Sequence, residues 1–256
     1  MMLMDNTRLQ LWNWRQQVAL DLGTATIRIA AGRGAVFERS SCLGEREGLR
    51  GGVIVDQTMV VQLLKPLLDR TRLFGIVKPC VLACAPSDVN RIERARLTQA
   101  VLDAGAASVY VIPEPLAAAV GAGLDVSSSY AQVVVDIGAG VTDCALIRMS
   151  RIQATAAVRI GCSQLQQDAA RPQFARERVA GLLEGFLHNL SPEIGCEAIE
   201  NGICLTGGGA LIPGLPAFLE ARTGITVTPA ATPCYCVVEG ARAILPVVVM
   251  LNLWNE

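Results

Sequence analysis

Short apolar runs that end in Asp, Gly or Thr alternate along this chain with longer stretches whose apolar positions recur at helical spacing. Val18–Leu20 runs into Asp21-Leu-Gly-Thr, and Ile27–Ala31 follows as a second strand. Gly52–Asp56 leads into a helix over about Thr58–Phe74. Cys80–Ala85 is an apolar strand, Pro86-Ser87 opens a helix over about Asn90–Gly105, and Val109–Ile112 is the next strand. Glu114-Pro115 starts a small-residue helix ending near Gly121–Gly123, and Ser127–Tyr130 reads as a loop. Val133–Val135 and Cys144–Arg148 form another strand pair, Arg159–Gly161 closes a further strand, and one helical stretch follows. Gly202–Leu205 is a strand, Pro216–Thr223 a helix, Pro229–Cys236 a loop and Val237–Leu245 a final helix. Strands alternating with helices in this way predict an α/β chain with mixed sheets.

The chain also repeats itself. Val18-Ala-Leu-Asp21-Leu-Gly23-Thr24 and Val133-Val-Val-Asp136-Ile-Gly138-Ala139 share an apolar strand, an Asp, one apolar residue, a Gly and a small-residue turn. Each continues into a second strand, so the chain reads as two duplicated, hairpin-led lobes. The expected division is an N-terminal segment over 1–17, a first lobe over 18–132 and a second over 133–236. A C-terminal helix and apolar tail over 237–256 is expected to pack back on the first lobe.

Composition narrows the class. With 256 residues, 52% hydrophobic and 18% charged, the chain can bury a core and is neither disordered nor a coiled coil. No apolar run reaches the roughly 18 residues of a membrane-spanning helix. The formal net charge of −1 offers nothing to attract nucleic acid. Nine cysteines without a CxxC pair or a secretory signal are expected to be small buried hydrophobes in a reducing compartment, not a zinc site. His188 is the sole histidine and lies in a helical pattern, where a structural role is expected.

Three small-residue turns, each after a short strand, suit the phosphates of a nucleotide, because backbone N–H groups can approach an anion only where side chains are absent. The turn Gly207–Gly209 is followed by a predicted helix, whose N-terminus adds partial positive charge. Asp21 and Asp136, at the same offset in the two hairpins, would hold a hydrated Mg²⁺ between the lobes. No GxxxxGK[ST] run is present, so this is not a P-loop.

Asp21-Leu-Gly-Thr-Ala-Thr resembles the first phosphate loop of the actin, sugar kinase and heat-shock ATPase superfamily. Asp136-Ile-Gly-Ala-Gly-Val-Thr-Asp143 resembles the second, and Leu205-Thr-Gly-Gly-Gly-Ala-Leu-Ile-Pro-Gly214-Leu the adenosine motif. Ala104–Leu124 is similar to the segment between the phosphate loops in the MreB family of bacterial actins. The resemblance implies duplicated actin-like (ribonuclease H-like) lobes and the cofactors ATP and Mg²⁺. It implies phosphate contacts from Gly23, Thr24, Ala25, Gly138, Ala139, Gly140 and Thr142, and ribose and adenine contacts from Gly207, Gly208, Gly209 and Ala210. Asp21 and Asp136 would position Mg²⁺ through water, with Asp136 also counted as catalytic. Glu114 would orient the attacking water, a task suited to phosphoryl transfer, which depends chiefly on positioning and charge.

The chain departs from the family pattern in places. Ala139 stands where the family usually has the middle Gly of a GGG turn, and Cys162-Ser163 where it has Gly-Asp. Gly32–Gly51 and Cys162–Gly202 are short at the two points where the family builds outer subdomains, so those are expected to be reduced or absent. The resemblance implies a cytoplasmic protomer that self-associates into filaments, with a weak ATPase or a nucleotide-binding pseudo-enzyme both left open. The inner-membrane surface and membrane-bound morphogenetic proteins are the further partners. Met4, Leu11, Trp14 and Val18 fall on one helical face, so the N-terminal segment could lie on a membrane. A compact chaperone-type (EutJ-like) ATPase or pseudo-ATPase, and a pilus-type assembly adaptor, are alternatives on the same fold.

Overall fold

A computed structural model describes residues 15–44, 46–166 and 170–251. The proposed membrane-facing segment, apart from its last residues, and the end of the apolar tail lie outside these. The repeat appears as two five-stranded sheets of the same design. The first contains β1 (Gln17–Leu22), β2 (Thr26–Ala31), β3 (Phe37–Ser40), β8 (Cys80–Ala85) and β9 (Ser108–Pro113), in the order β3-β2-β1-β8-β9. The second contains β10 (Gln132–Ile137), β11 (Thr142–Arg148), β12 (Arg151–Val158), β13 (Ile203–Thr206) and β14 (Val227–Pro229), in the order β12-β11-β10-β13-β14. In each sheet the leading hairpin is antiparallel and the next two strands join in parallel. Two small hairpins, β4 (Cys42–Leu43) with β5 (Arg46–Glu47) and β6 (Leu49–Arg50) with β7 (Val53–Ile54), are what stands at the first outer-subdomain position.

The helices are α1 (Gln57–Asp69), α2 (Arg91–Asp103), α3 (Glu114–Gly121), α4 (Cys162–Leu165), α5 (Pro172–His188), α6 (Pro192–Asn201), α7 (Leu215–Thr223) and α8 (Cys236–Met250). α1 stops at Asp69 instead of running to Phe74, because the Thr71 hydroxyl donates back to the Leu68 carbonyl at 2.8 Å and Phe74 takes a left-handed φ of 54°. A tight turn bridging Leu73 and Val77 follows. The single helical stretch expected after Gly161 is three helices, since Pro172 and Pro192 each stand in the first turn of a new one. Pro229–Cys236 is not all loop: Val227–Pro229 pairs with β13 and Pro233–Tyr235 forms a 3₁₀ turn.

Strand alternation distributes the core. Val18, Leu20 and Leu22 of β1 and Ile27 and Ile29 of β2 pack toward α1 and α2, while Ala19 and Ala30 face the opposite way. In the second sheet Val133, Val135 and Ile137 pack toward α5 and α7, and Val134 and Ala145 face the seam between the lobes. Because side chains alternate with period two, Asp21 and Arg28 follow Ala19 and Ala30, and Asp136 and Asp143 follow Val134 and Ala145. All four polar side chains are thus sent to the seam.

α3 and α8 fill the same seam with small side chains, among them Ala117, Ala118, Val238 and Ala241. The stretch Pro233–Met250 is long and apolar enough to cross a membrane by length and composition, yet Val238, Ala241, Leu245 and Val248 are buried, as befits a core helix. A Cβ on Gly240 would land on the Ala117 carbonyl, and one on Gly121 on the Cys236 carbonyl, so the two backbones meet with no room for a methyl group. Gly240→Ala is expected to cost about 1–3 kcal/mol of stability in urea denaturation. Gly181→Ala in α5, with open space around it, is expected to be neutral or stabilising by up to about 1 kcal/mol. Equal effects at the two positions would contradict this packing.

Candidate functional site

The seam opens into a cleft of about 210 Å³. Its walls are the turns that close the two hairpins, and its floor is formed by carboxylates. In the first turn the Gly23 N–H donates to the Thr26 carbonyl at 3.2 Å; in the second the Gly138 N–H donates to the Val141 carbonyl at 2.9 Å. Asp21, Gly23, Thr24, Ala25, Glu114, Asp136, Gly138, Ala139, Gly207 and Gly208 all line the cleft.

The remaining candidates hold the turns instead. Gly140 is pressed against Thr24 and the Gly51 backbone, and Thr142 is fully buried with its hydroxyl on the Ile160 carbonyl at 2.8 Å. Gly209 sits against the Ile137 side chain and Ala210 is buried, both in the 3₁₀ turn Gly208–Leu211. That short turn intervenes where a helix N-terminus was expected, and α7 begins only at Leu215.

The two departures in sequence are accommodated. Ala139 is not among the residues with left-handed φ, so its Cβ costs no backbone strain. Its carbonyl accepts from the Ser163 N–H at 3.1 Å and the Ser163 hydroxyl at 2.9 Å, while the Cys162 N–H donates to the Gly138 carbonyl at 2.8 Å. Cys162-Ser163 therefore fixes the second turn.

Further polar contacts join the motif residues to one another and to the rest of the chain. Arg28 faces Asp21 across the first hairpin, with Nη1 3.5 Å from Oδ2. The Thr206 hydroxyl donates to Asp136 at 2.6 Å. Asp143 accepts from both the N–H and the hydroxyl of Ser87, each at 2.5 Å, which ties the second hairpin to the first lobe. Arg159 adds a two-pronged ion pair to Asp88, both contacts 3.0 Å, and donates to the Gly51 carbonyl. The Thr24 hydroxyl accepts from the Gly52 N–H at 2.9 Å.

Burial dominates the electrostatics. It pushes the Asp21 carboxyl up to about 7, opposed by Arg28 and reinforced by the charge of Asp136. Burial, then the charges of Asp21 and Asp136, pushes Glu114 well above the usual carboxylate range. Asp136 is raised by burial against the Thr206 hydrogen bond and Arg28, and Asp143 is raised by burial to about 7 against the two Ser87 donors. Among the described residues no three His, Cys, Asp or Glu side chains are close enough to ligate a metal directly.

The duplicated sheets, the hairpin-led order and the cleft between them define an actin-like fold. The MreB5 of Spiroplasma citri bound to ADP superimposes with a TM-score of 0.83 at 21% identity, covering 95% of this chain and 99% of that one. A MamK double helical filament gives 0.72 at 17% identity, covering 91% and 98%. The ethanolamine utilization protein EutJ from Carboxydothermus hydrogenoformans gives 0.66 at 20%, covering 88% of each chain. In sequence, the cell shape-determining protein MreB of Escherichia coli K12 is 28% identical over 263 positions, covering 79% of this chain and 76% of the relative. The cell shape-determining protein Mbl of Bacillus subtilis 168 is 24% identical over 318 positions, covering 90% and 96%. That alignment is longer than the 256 residues of this chain, so the relative carries insertions absent here. The family model for MreB/Mbl protein matches residues 45–178 and 170–252, and the chain belongs to that family.

A carboxylate whose pKa is about 7 in the fold and near 3.8 when unfolded binds more protons folded, so stability is highest below about pH 4 for that group and falls as pH rises through 7. Melting temperature in metal-free buffer is therefore expected to drop between pH 5 and pH 8, with a shallower drop in Asp21→Asn. A melting temperature that rises over this range would contradict the assignment.

Proposed function

We propose that the chain is an MreB-like, ATP-binding cytoskeletal protomer of the bacterial cytoplasm that assembles into filaments near the membrane and determines cell shape. The observation that carries this reading is the pair of like turns facing one cleft over Asp21, Glu114 and Asp136. The MreB5 relative was crystallised with ADP and also with AMPPNP, and a solved MamK structure is a double helical filament, which supports nucleotide binding and self-association here. The EutJ-like chaperone alternative is less favoured, with a TM-score of 0.66 against 0.83 for MreB5.

In this reading the turns Gly23–Ala25 and Gly138–Ala139 take the phosphates and Gly207 and Gly208 lie on the ribose and adenine side, with Gly140, Gly209 and Ala210 holding those turns from behind. Asp21 and Asp136 orient Mg²⁺ through water, and the ion supplies charge neutralisation on the phosphates. Burial and the neighbouring acids favour the protonated form of Glu114, and a cation beside it would favour the carboxylate that can orient water. Weak hydrolysis coupled to assembly follows from that arrangement. In sedimentation and electron microscopy with Mg-ATP the protein is expected to pellet as filaments, and Asp136→Ala to stay in the supernatant. Monomers under every condition would contradict filament assembly.

The membrane surface enters through the tight turn after α1, where Phe74 and Ile76 are 85% and 78% exposed beside Arg70, Arg72 and Lys78. Apolar tips flanked by bases suit an anionic bilayer. Replacing both, Phe74→Ser with Ile76→Ser, is expected to weaken flotation with anionic vesicles at least about tenfold, since burying one such side chain is worth about 1.5–3 kcal/mol. Unchanged flotation would remove this turn from the membrane contact.

A further inference from the structure

Arg28 is the one Lys or Arg among the described residues that line the cleft. It is placed with care. The hairpin register sets it directly across from Asp21, Nε lies 3.2 Å from Glu38, and its guanidinium carbon sits 5.4 Å from the centre of the Tyr235 ring. The Tyr235 hydroxyl also donates to Glu38 at 3.4 Å, so the partners that hold Arg28 are themselves joined. The side chain is 19% exposed, whereas Glu38 on its outer flank is 49% exposed.

A guanidinium carries five N–H donors in a rigid fork. Here its hydrogen bonds reach Glu38 and, at the long distance of 3.5 Å, Asp21, which leaves donors unspent at the cleft. The equivalent position in the second hairpin is Asp143, facing Asp136, and carries the opposite charge. The duplicated architecture therefore puts an acid pair on one wall and an acid–base pair on the other. Where Asp21, Glu114 or Asp136 is ionised it repels an incoming polyphosphate, and among the described residues Arg28 is the one basic lining side chain that opposes them.

We propose that Arg28 is a direct phosphate ligand that lets this cleft hold a nucleoside di- or triphosphate without a divalent cation. The proposal rests on the nucleotide-binding reading above and adds to it a resident cation at the place where Asp21 would otherwise wait for Mg²⁺. Guanidinium groups match phosphate with paired, charge-assisted hydrogen bonds, a geometry that neither a hydrated ion nor a lysine reproduces fully.

The test is calorimetric titration with ADP and ATP, each in Mg²⁺ and in EDTA, for the wild type, Arg28→Leu and Arg28→Lys, with melting curves to confirm folding. The wild type is expected to bind in EDTA within about tenfold of its affinity in Mg²⁺. Arg28→Leu is expected to lose about a hundredfold in EDTA and far less in Mg²⁺, because a hydrogen bond to a charged group is worth one to two decades. Arg28→Lys is expected to fall between. A purely structural role would shift melting without changing the ratio of the EDTA and Mg²⁺ affinities. Wild-type binding that needs Mg²⁺ would overturn the role of Arg28 and leave the nucleotide reading standing; no binding in either condition would overturn both. The wild-type arms need no variant, so a failure of Arg28→Leu to fold does not protect the proposal.

Discussion

Carboxylates that should be in water are buried where the two lobes meet, and much of the cleft is organised around that cost. Asp21, Glu114, Asp136 and Asp143 are each less than a tenth exposed. An ionised carboxylate taken from water without a partner is expensive, and the group neutralises itself by a raised pKa instead. The duplicated hairpin makes the arrangement unavoidable: an Asp at the end of a central strand, on the face opposite the helix-packing positions, comes to the seam twice. Thr206, Ser87 and Arg28 each answer one of these acids. Glu114 has no comparable partner among them, and burial with the neighbouring charges of Asp21 and Asp136 raises its carboxyl well above the usual range.

The lobes are held on two sides of the cleft by different physics. On one side α3 and α8 approach until glycine is required at Gly121 and Gly240. On the other, the contacts are polar: Asp143 to Ser87, and Arg159 to Asp88 and Gly51. A packed hinge tolerates little sliding, whereas hydrogen bonds to loops can be exchanged for bonds to a ligand. The reduction of the outer parts to two small hairpins and three helices leaves these inner contacts as the main control over how the phosphate turns face one another.

Strands and turns were legible in the sequence because Asp and Gly punctuate short apolar runs, and the hairpin repeat at Asp21 and Asp136 carried the fold with it. Less was visible where local signals compete. The apolar residues through Phe74 continue a helical pattern, and only the bond from Thr71 to Leu68 and the left-handed Phe74 end it. Pro172 and Pro192 were helix starts inside what read as one stretch. In the cleft, the residues at the tips of the turns line the space, whereas Gly140, Thr142, Gly209 and Ala210 pack behind it. Arg28 escaped notice because its role depends on hairpin register, and Ser87 and Arg159 because their partners lie 56 and 71 positions away in sequence. No periodicity reports a contact of that kind.

The central claim is that burial draws these acids toward their protonated forms in the empty cleft and that they shed protons to solvent when a cation–phosphate ligand binds. Its most direct test is calorimetric titration of the protein with Mg-ADP at pH 7 in two buffers of different ionisation enthalpy, which counts protons exchanged on binding. With Asp21 near pKa 7 and Glu114 raised well above the usual carboxylate range, the account predicts net proton release on binding. Equal heats in the two buffers, or net proton uptake, would contradict it.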